Sequence, residues 1–328
     1  MSLKVLITGG GGFVGTRLAE ALLSPESEVK PTELVLTDIF EPKAPTSNPR
    51  KVPVKTLKGD ICDANGIASV ISKDIDLVFM LHGIMSGGSE ENFDLGMQVN
   101  LYSIQKILEH VRHNHPGLKM VYTSSVGAFG GDDLPDIMED MTALKPQISY
   151  GMEKAVCELL IDDYSRRGWV DGRTVRLPTI SVRAGTPSSA ASSYVSGIIR
   201  EPLKGETSNC PVPVDDFYMY VCSPQVVVRN IIHAAVVNAS EWGKSRAITL
   251  PGISVTVKQM LNALERVAGP EPLKLITYKE EPLVWKIASG WPGKFNAAKA
   301  KRLGMLSDRS FEENIRLYME EEGIKAKA

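Results

Sequence analysis

The sequence predicts an α/β fold, a doubly wound parallel sheet joined to a smaller C-terminal α/β domain. Three observations carry that prediction. Six short apolar runs recur through the first 180 residues; segments of helical periodicity separate most of them; and a glycine-rich turn joins the first run to the first helix. Strands that are apolar on both faces need cover on both sides, which crossover helices supply in a parallel sheet.

Residues 3–7, LKVLI, form the first run and end in TGGGG, after which FVGTRLAEALL places apolar residues at helical spacing. ELVLTD at 33–38, VKTLKGD at 54–60 and DLVFMLHG at 76–83 read as the second to fourth strands. Helices are expected in ANGIASVISK and in the longer FDLGMQVNLYSIQKILEHVRHN. LKMVYTSS at 118–125 gives a fifth strand, and GRTVRLPTI at 172–180 a sixth, after a helix that opens near Tyr150. Past residue 180 the alternation lapses into SVRAGTPSSAASSYVSG, rich in small and polar residues. CSPQVVVRNIIHAAVV then restores a helix, with Ser223 as its N-cap and Pro224 at its first position. TVKQMLNALERVAG and SFEENIRLYMEEEG read as later helices. The expected organisation is a large unit of residues 1–180, rejoined by 222–250, and a smaller substrate-binding unit of 181–221 and 251–328. No internal repeat or low-complexity segment interrupts it.

Composition narrows the function. The 328 residues are 43% hydrophobic and 23% charged, ordinary usage for a chain with a sizeable core. With 37 basic against 39 acidic residues and no long basic run, neither nucleic acid nor a membrane is an expected partner. A small neutral or mildly anionic ligand is. Cys62, Cys157, Cys210 and Cys222 form no C-x-x-C pair and have no metal-ligand spacing with the five histidines, so reduced structural thiols and no metal are expected. The N-terminus lacks the apolar stretch of a signal peptide, and no segment approaches the roughly 18 consecutive apolar residues of a spanning helix. A soluble cytoplasmic protein is the expectation.

TGGGGFVG sets Gly9, Gly12 and Gly15 in a G-x-x-G-x-x-G spacing between a strand and a helix. Glycine allows the tight turn, the approach of backbone to a pyrophosphate and the close packing of helix on strand, while the helix N-terminus offers amides to the anion. The pattern points to a dinucleotide on a Rossmann-type sheet, with Phe13 and Val14 beside it. Asp38 ends the second strand, where a carboxylate can accept hydrogen bonds from an adenosine ribose. The following IFEPK holds no arginine for a 2′-phosphate, so NAD is expected rather than NADP. GDI at 59–61 ends the third strand at the same edge and puts Asp60 and Ile61 at the adenine.

Ser124 and Ser125 close the fifth strand, and Tyr150 and Lys154 lie one helical turn apart on the next helix, so these groups fall at one sheet edge. A free phenol has a pKa of about 10, and an adjacent ammonium favours its phenolate; Lys154 is expected to lower the Tyr150 value. Tyr150 then takes the hydroxyl proton of an alcohol while hydride leaves the same carbon for a nicotinamide, and Ser125 holds the substrate oxygen.

Together TGGGGFVG, the TD after the second strand, GDI, SSVGAFG and YGMEK resemble the extended short-chain dehydrogenase/reductase family, which includes sugar-nucleotide epimerases, dehydratases and simple dehydrogenases. The resemblance implies the catalytic serine at Ser125, the Tyr-x-x-x-Lys pair at Tyr150 and Lys154, and a contact of Lys154 with the nicotinamide ribose. It further implies that Leu81, His82 and Gly83 pass beneath the cofactor, with Asn100 and Pro178 also around it, and that the chain forms a homodimer through the Tyr150 helix and NLYSIQKILEH. Two departures stand out. SSVGAFG has Phe129 where the family usually has tyrosine, and GIMSGGSEENFD after His82 alters the wall of the substrate pocket, where Ser86 is expected to meet substrate.

The stretch after the sixth strand is crowded with small hydroxyl side chains and holds Arg183 and Arg200, a composition that suits a small polyhydroxylated acid. Arg183 is the expected carboxylate anchor, since a guanidinium grips a carboxylate through two parallel hydrogen bonds. SSYVSGIIREPLKGE and PVDDFYMYVCSPQVVVRNIIHAA resemble dehydrogenases of bacterial sugar-acid catabolism. That resemblance implies NAD-dependent oxidation of a C2 hydroxyl to a 2-keto acid, with the four-carbon acid D-erythronate as substrate. The alternative is a nucleotide-sugar epimerase or dehydratase that reduces and reoxidises NAD within one turnover. A non-catalytic NAD-binding regulator is disfavoured because Tyr150 and Lys154 are both present.

Overall fold

The computed structural model describes residues 2–186, 190–215 and 217–325. Its strands are β1 (Lys4–Thr8), β2 (Glu33–Asp38), β3 (Val54–Lys58), β4 (Leu77–Met80), β5 (Leu118–Ser125), β6 (Val170–Leu177), β7 (Thr179–Ile180), β8 (Ser208–Cys210), β9 (Tyr218–Cys222), β10 (Ala247–Thr249), β11 (Ile253–Thr256) and β12 (Ile276–Tyr278). Seven of them form one sheet in the order β10-β6-β5-β4-β1-β2-β3, with every pairing parallel. The order reverses between β1 and β4, the switch point outside whose carboxyl ends such sheets bind ligands.

Alternation along β1 shows why the runs are apolar on both faces. Val5 and Ile7 enter one buried layer with the helices Phe13–Leu23 and Pro224–Val236, while Leu6 enters the opposite layer with the helices Ser103–Asn114 and Ser149–Arg166. A third core gathers Val195 and Ile198 with Val257, Leu264, Phe311 and Ile315, over the small sheet β11-β9-β7 and the pair β12-β8. Ser223 caps its helix by accepting from the Val226 amide.

Several boundaries differ from the sequence expectation, among them the third strand, which stops at Lys58 and leaves Gly59–Asp60 in the loop beyond it. β4 stops at Met80, so Leu81–Gly83 form a loop at the sheet edge. β6 ends at Leu177 because Pro178 has no amide to continue the ladder, and Thr179–Ile180 leave to pair with β9 in the small sheet. The expected long helix over 93–114 contains a widened π-helical turn, Met97–Tyr102, which carries Asn100. Residues 187–189 of the small-residue stretch, and Asp216, lie outside the described residues.

Candidate active site

A cleft of about 900 Å³ opens along the carboxyl edge of the large sheet. Every residue expected from the sequence to meet cofactor or substrate lines it, except Asn100. The glycine turn forms part of its wall. Gly9 has φ +71, and a Cβ there would stand 2.7 Å from the His82 amide nitrogen; a Cβ on Gly15 would stand 2.2 Å from the Gly9 carbonyl oxygen. Both positions require glycine. The turn also satisfies its own backbone, with the Gly12 amide donating to the Gly9 carbonyl at 3.1 Å and Gly10 to Thr37 at 3.0 Å. Phe13 and Val14 then open the helix at the cleft wall. A dinucleotide pyrophosphate fits this cradle, where the tight turn leads straight into the amides that open the Phe13–Leu23 helix. Gly15→Ala is expected to open the turn and weaken NAD binding at least about tenfold in a fluorescence titration; undiminished affinity would show that the turn is not the phosphate cradle.

Asp38 stands at the end of β2 with Oδ2 accepting from the Gly11 amide at 3.0 Å and Oδ1 from the Ile39 amide at 2.8 Å. Each oxygen keeps a lone pair for a ribose hydroxyl. The Phe40 ring lies so close to Gly11 that a Cβ there would be 2.5 Å from it, closing the wall beside Asp38. At the adenine end, Asp60 accepts from the Cys62 amide at 2.8 Å and Ile61 is buried beside it.

Ser125, Tyr150 and Lys154 come together in the same cleft. Ser125 ends β5 and accepts from the Gly127 amide at 3.0 Å. Gly151 explains how the Tyr150 helix reaches that turn: a Cβ at 151 would stand 2.2 Å from the Gly127 carbonyl oxygen. The Glu90 carboxylate takes the Ser149 amide at 2.6 Å, satisfying a free donor of the helix start. Burial pushes the Tyr150 phenol up to about 12, and the Ser125 hydroxyl opposes that shift. Burial lowers the Lys154 ammonium to about 8. This corrects the expectation that Lys154 holds Tyr150 below its ordinary value. The ammonium donates to the Thr123 carbonyl at 3.0 Å and sits 5.6 Å from the Tyr150 ring centroid, so desolvation of the phenol prevails.

The two adjacent serines part company. Strand alternation turns Ser124 to the opposite face, where its hydroxyl donates to the buried Glu158 carboxylate, itself paired with Arg176. Asn100 is corrected as well. Its side chain does not line the cleft; Oδ1 accepts from the Ile84 amide at 2.7 Å, and Nδ2 donates to Ile84 O, Ser89 Oγ and Glu153 Oε2. It pins the loop that carries Gly83, whose added Cβ would meet Asn100 Oδ1 at 2.9 Å.

His82, which lines the same loop, bonds through Nδ1 to Thr8 Oγ1 at 2.7 Å and through Nε2 to Ser103 Oγ at 3.0 Å. Ser103 donates its own proton to the Val99 carbonyl, so Nε2 carries the imidazole hydrogen and Nδ1 accepts from Thr8. Burial drives the ring down to about 3, fixing it neutral.

The substrate side is less regular. Ser86 lines the cleft, but its hydroxyl also accepts from the Ala191 amide at 3.3 Å and ties the loop after β4 to the segment after β6. Arg183 lines the cleft with its guanidinium carbon 5.6 Å from the centroid of the Phe13 ring. Leu81 and Pro178 lie at the ends of β4 and β6. Trp291, which no local sequence signal singles out, also lines the cleft; its indole nitrogen is buried without a hydrogen-bond partner among the described residues, 3.4 Å from where a Gly127 Cβ would be. Phe129 is buried, edge-on to Phe295 at 5.5 Å and beneath the Arg176 guanidinium, so the family's tyrosine position serves packing here. Among the described residues no cluster of metal-ligating side chains occurs and no helix is long and apolar enough to cross a membrane.

Comparison with known proteins agrees with this geometry. The model of the NAD dependent epimerase/dehydratase family matches residues 5–215. A D-erythronate dehydrogenase of Cupriavidus necator is 43% identical over 328 residues, covering 98% of this chain and 99% of that protein. Another of the same name from Haemophilus influenzae is 41% identical over 318 residues, covering 97% and 99%. Among solved structures, a nucleoside-diphosphate-sugar epimerase from Agrobacterium tumefaciens superposes with a TM-score of 0.92 at 34% identity, covering 99% of this chain and 96% of that one. The chain belongs to the NAD dependent epimerase/dehydratase family.

Proposed function

We propose that this protein oxidises the C2 hydroxyl of D-erythronate to 2-dehydro-D-erythronate, with NAD as cofactor. The observation that carries the reading is the Tyr150 phenol beside the Ser125 hydroxyl and one helical turn from Lys154, in the same cleft as the glycine turn. The relatives named D-erythronate dehydrogenase, at 41% and 43% identity, supply the substrate. Bound NAD supplies the hydride acceptor for the substrate carbon. Tyr150 takes the C2 hydroxyl proton, Ser125 donates to the same oxygen and holds it against Tyr150, and Lys154 supplies the positive charge that favours the phenolate. Gly9, Gly12 and Gly15 with Phe13 and Val14 cradle the pyrophosphate; Asp38 takes the adenosine ribose; Asp60 and Ile61 take the adenine; Leu81, Gly83 and Pro178 bound the nicotinamide end. Ser86 faces the substrate.

The test is a spectrophotometric screen of four- to six-carbon sugar acids and of nucleotide sugars with NAD and NADP. Net NADH formation with D-erythronate is expected. Turnover of a nucleotide sugar without net NADH would replace this reading with an epimerase. NADP is expected to support turnover at least about 100-fold less well, because a 2′-phosphate would face the Asp38 carboxylate with no arginine after it. Asp38→Gly should narrow that ratio in kcat/KM, and an equal preference in the wild type would overturn the assignment of Asp38.

We read residues 1–180 with 222–250 as the dinucleotide unit and 181–221 with 251–328 as the substrate unit. A homodimer fits the exposed Leu159 and Tyr102 on the Tyr150 helix and the helical segment before it. Light scattering on the wild type and on Leu159→Glu tests this, and a monomeric wild type would remove it. Four buried free cysteines suit a reducing compartment such as the cytoplasm.

A further inference from the structure

The cleft holds one cation whose place disagrees with the role that its sequence position suggests. Arg183 lies on the segment after β6, and its guanidinium carbon is 5.6 Å from the centroid of Phe13, the first residue of the helix that opens from the glycine turn. The backbone at 183 is held from both sides: its amide donates to Ser196 Oγ at 3.0 Å, and its carbonyl accepts from Arg200 Nη1 at 2.8 Å. Arg200 is itself buried and paired with Glu201. The Arg17 guanidinium carbon also lies 4.7 Å from the Phe13 ring centroid, and Arg17 is engaged with Glu321. Arg183 therefore adds positive charge near the mouth of a helix whose free amides already favour an anion. Burial and the nearby Arg200 both disfavour the charged form of Arg183, a cost that an anion arriving at this place offsets.

We propose that Arg183 is a clamp for the dinucleotide pyrophosphate, a cofactor residue delivered by the segment after β6, and not the carboxylate anchor of the acid substrate. A guanidinium presents paired donors in a plane that matches phosphate oxygens. Its distance to the Phe13 ring places it beside the phosphate turn. The inference rests on the dinucleotide reading of the cleft and is independent of which alcohol is oxidised.

Isothermal titration with ADP-ribose, which carries the pyrophosphate and lacks the nicotinamide, and with adenosine, which lacks both, tests it without turnover. Arg183→Gln is expected to weaken ADP-ribose and NAD about 10- to 100-fold. Adenosine should bind as it does to the wild type, and the KM for the acid at saturating NAD should stay within about threefold. ADP-ribose affinity within about threefold of wild type overturns the proposal, and a raised KM for the acid in that case returns Arg183 to the carboxylate. Should the glutamine variant melt at a lower temperature, Arg183→Lys decides: loss of the paired hydrogen bonds with the charge kept should still cost at least about threefold in ADP-ribose affinity, and unchanged affinity overturns the clamp. Failure of D-erythronate as substrate would leave these bindings untouched, so the two readings fail separately.

Discussion

Tyr150→Phe lowers kcat for D-erythronate oxidation about 10²- to 10⁴-fold, the range for removing a positioned general base, and leaves NAD affinity within about threefold. The phenylalanine ring keeps the packing against the Ser125–Gly127 turn and removes only the hydroxyl. A variant with wild-type turnover would end the assignment of Tyr150. The pH profile gives a second, independent reading. Burial raises Tyr150 to about 12, so in the resting protein the phenol keeps its proton at neutral pH. Oxidation needs the phenolate, and its rate is therefore expected to climb from about pH 6 upward. Lys154 is lowered to about 8, so its charge is present below that value and fades above it. The climb should flatten as the ammonium that favours the phenolate is lost. Reduction of the 2-keto acid needs the protonated phenol and should run best on the acid side. An oxidation rate independent of pH between about 6 and 9 would count against the phenol as the base.

The parts of the site legible in the sequence are the ones whose geometry is local. The glycine spacing and the Tyr-x-x-x-Lys spacing each lie within one turn of backbone and read directly. So does Ser223, whose capping role depends on a residue three positions away. Gly151 in YGMEK carried a signal that spacing alone does not interpret, because its reason is a close approach to Gly127 on another element. The direction of the Tyr150 shift was illegible for the same reason. It depends on how completely distant segments exclude water from the phenol, and that burial outweighs a lysine one turn away. Asn100 sits in a π-helical turn that no local propensity announces, and its amide is occupied by Ile84, Ser89 and Glu153. Trp291 arrives from the C-terminal third and reaches the Ser125 turn through tertiary packing alone. Arg183 was visible as a cation in the right region, but the ring beneath it is fixed by the first helix and not by its neighbours in sequence.

Removing either partner of the buried Arg176–Glu158 pair is expected to destabilise the protein by about 3–5 kcal/mol, a large share of a typical folding free energy. Both side chains are almost wholly buried, and Arg176 Nε and Nη2 reach the Glu158 carboxylate at 2.7–3.1 Å. Arg176 Nη1 also donates to the Asp140 carbonyl at 2.9 Å, and its guanidinium lies 4.9 Å over the Phe129 ring. Glu158 is one turn beyond Lys154 on the same helix and also receives the Ser124 hydroxyl, so the cluster binds β5, β6 and the Tyr150 helix to each other. Glu158→Leu leaves the guanidinium only the Asp140 carboxylate, 4.0 Å away, in a region where water cannot replace the lost partner; Arg176→Met strands the Glu158 carboxylate. The double variant removes both charges and should be far less destabilised than the sum of the singles, because no charge is left buried without its partner. Denaturant midpoints of the wild type, the two singles and the double measure the coupling. Single variants that lose less than about 1 kcal/mol, or a double whose loss is additive, would show that the pair does not act as a unit. The cluster also explains how Ser125 and Tyr150, on different elements, keep their register. Ser124 is fixed to Glu158 by its side chain, Lys154 to Thr123 by its ammonium, and the strand end carrying Ser125 is thereby held at two points against the helix carrying Tyr150.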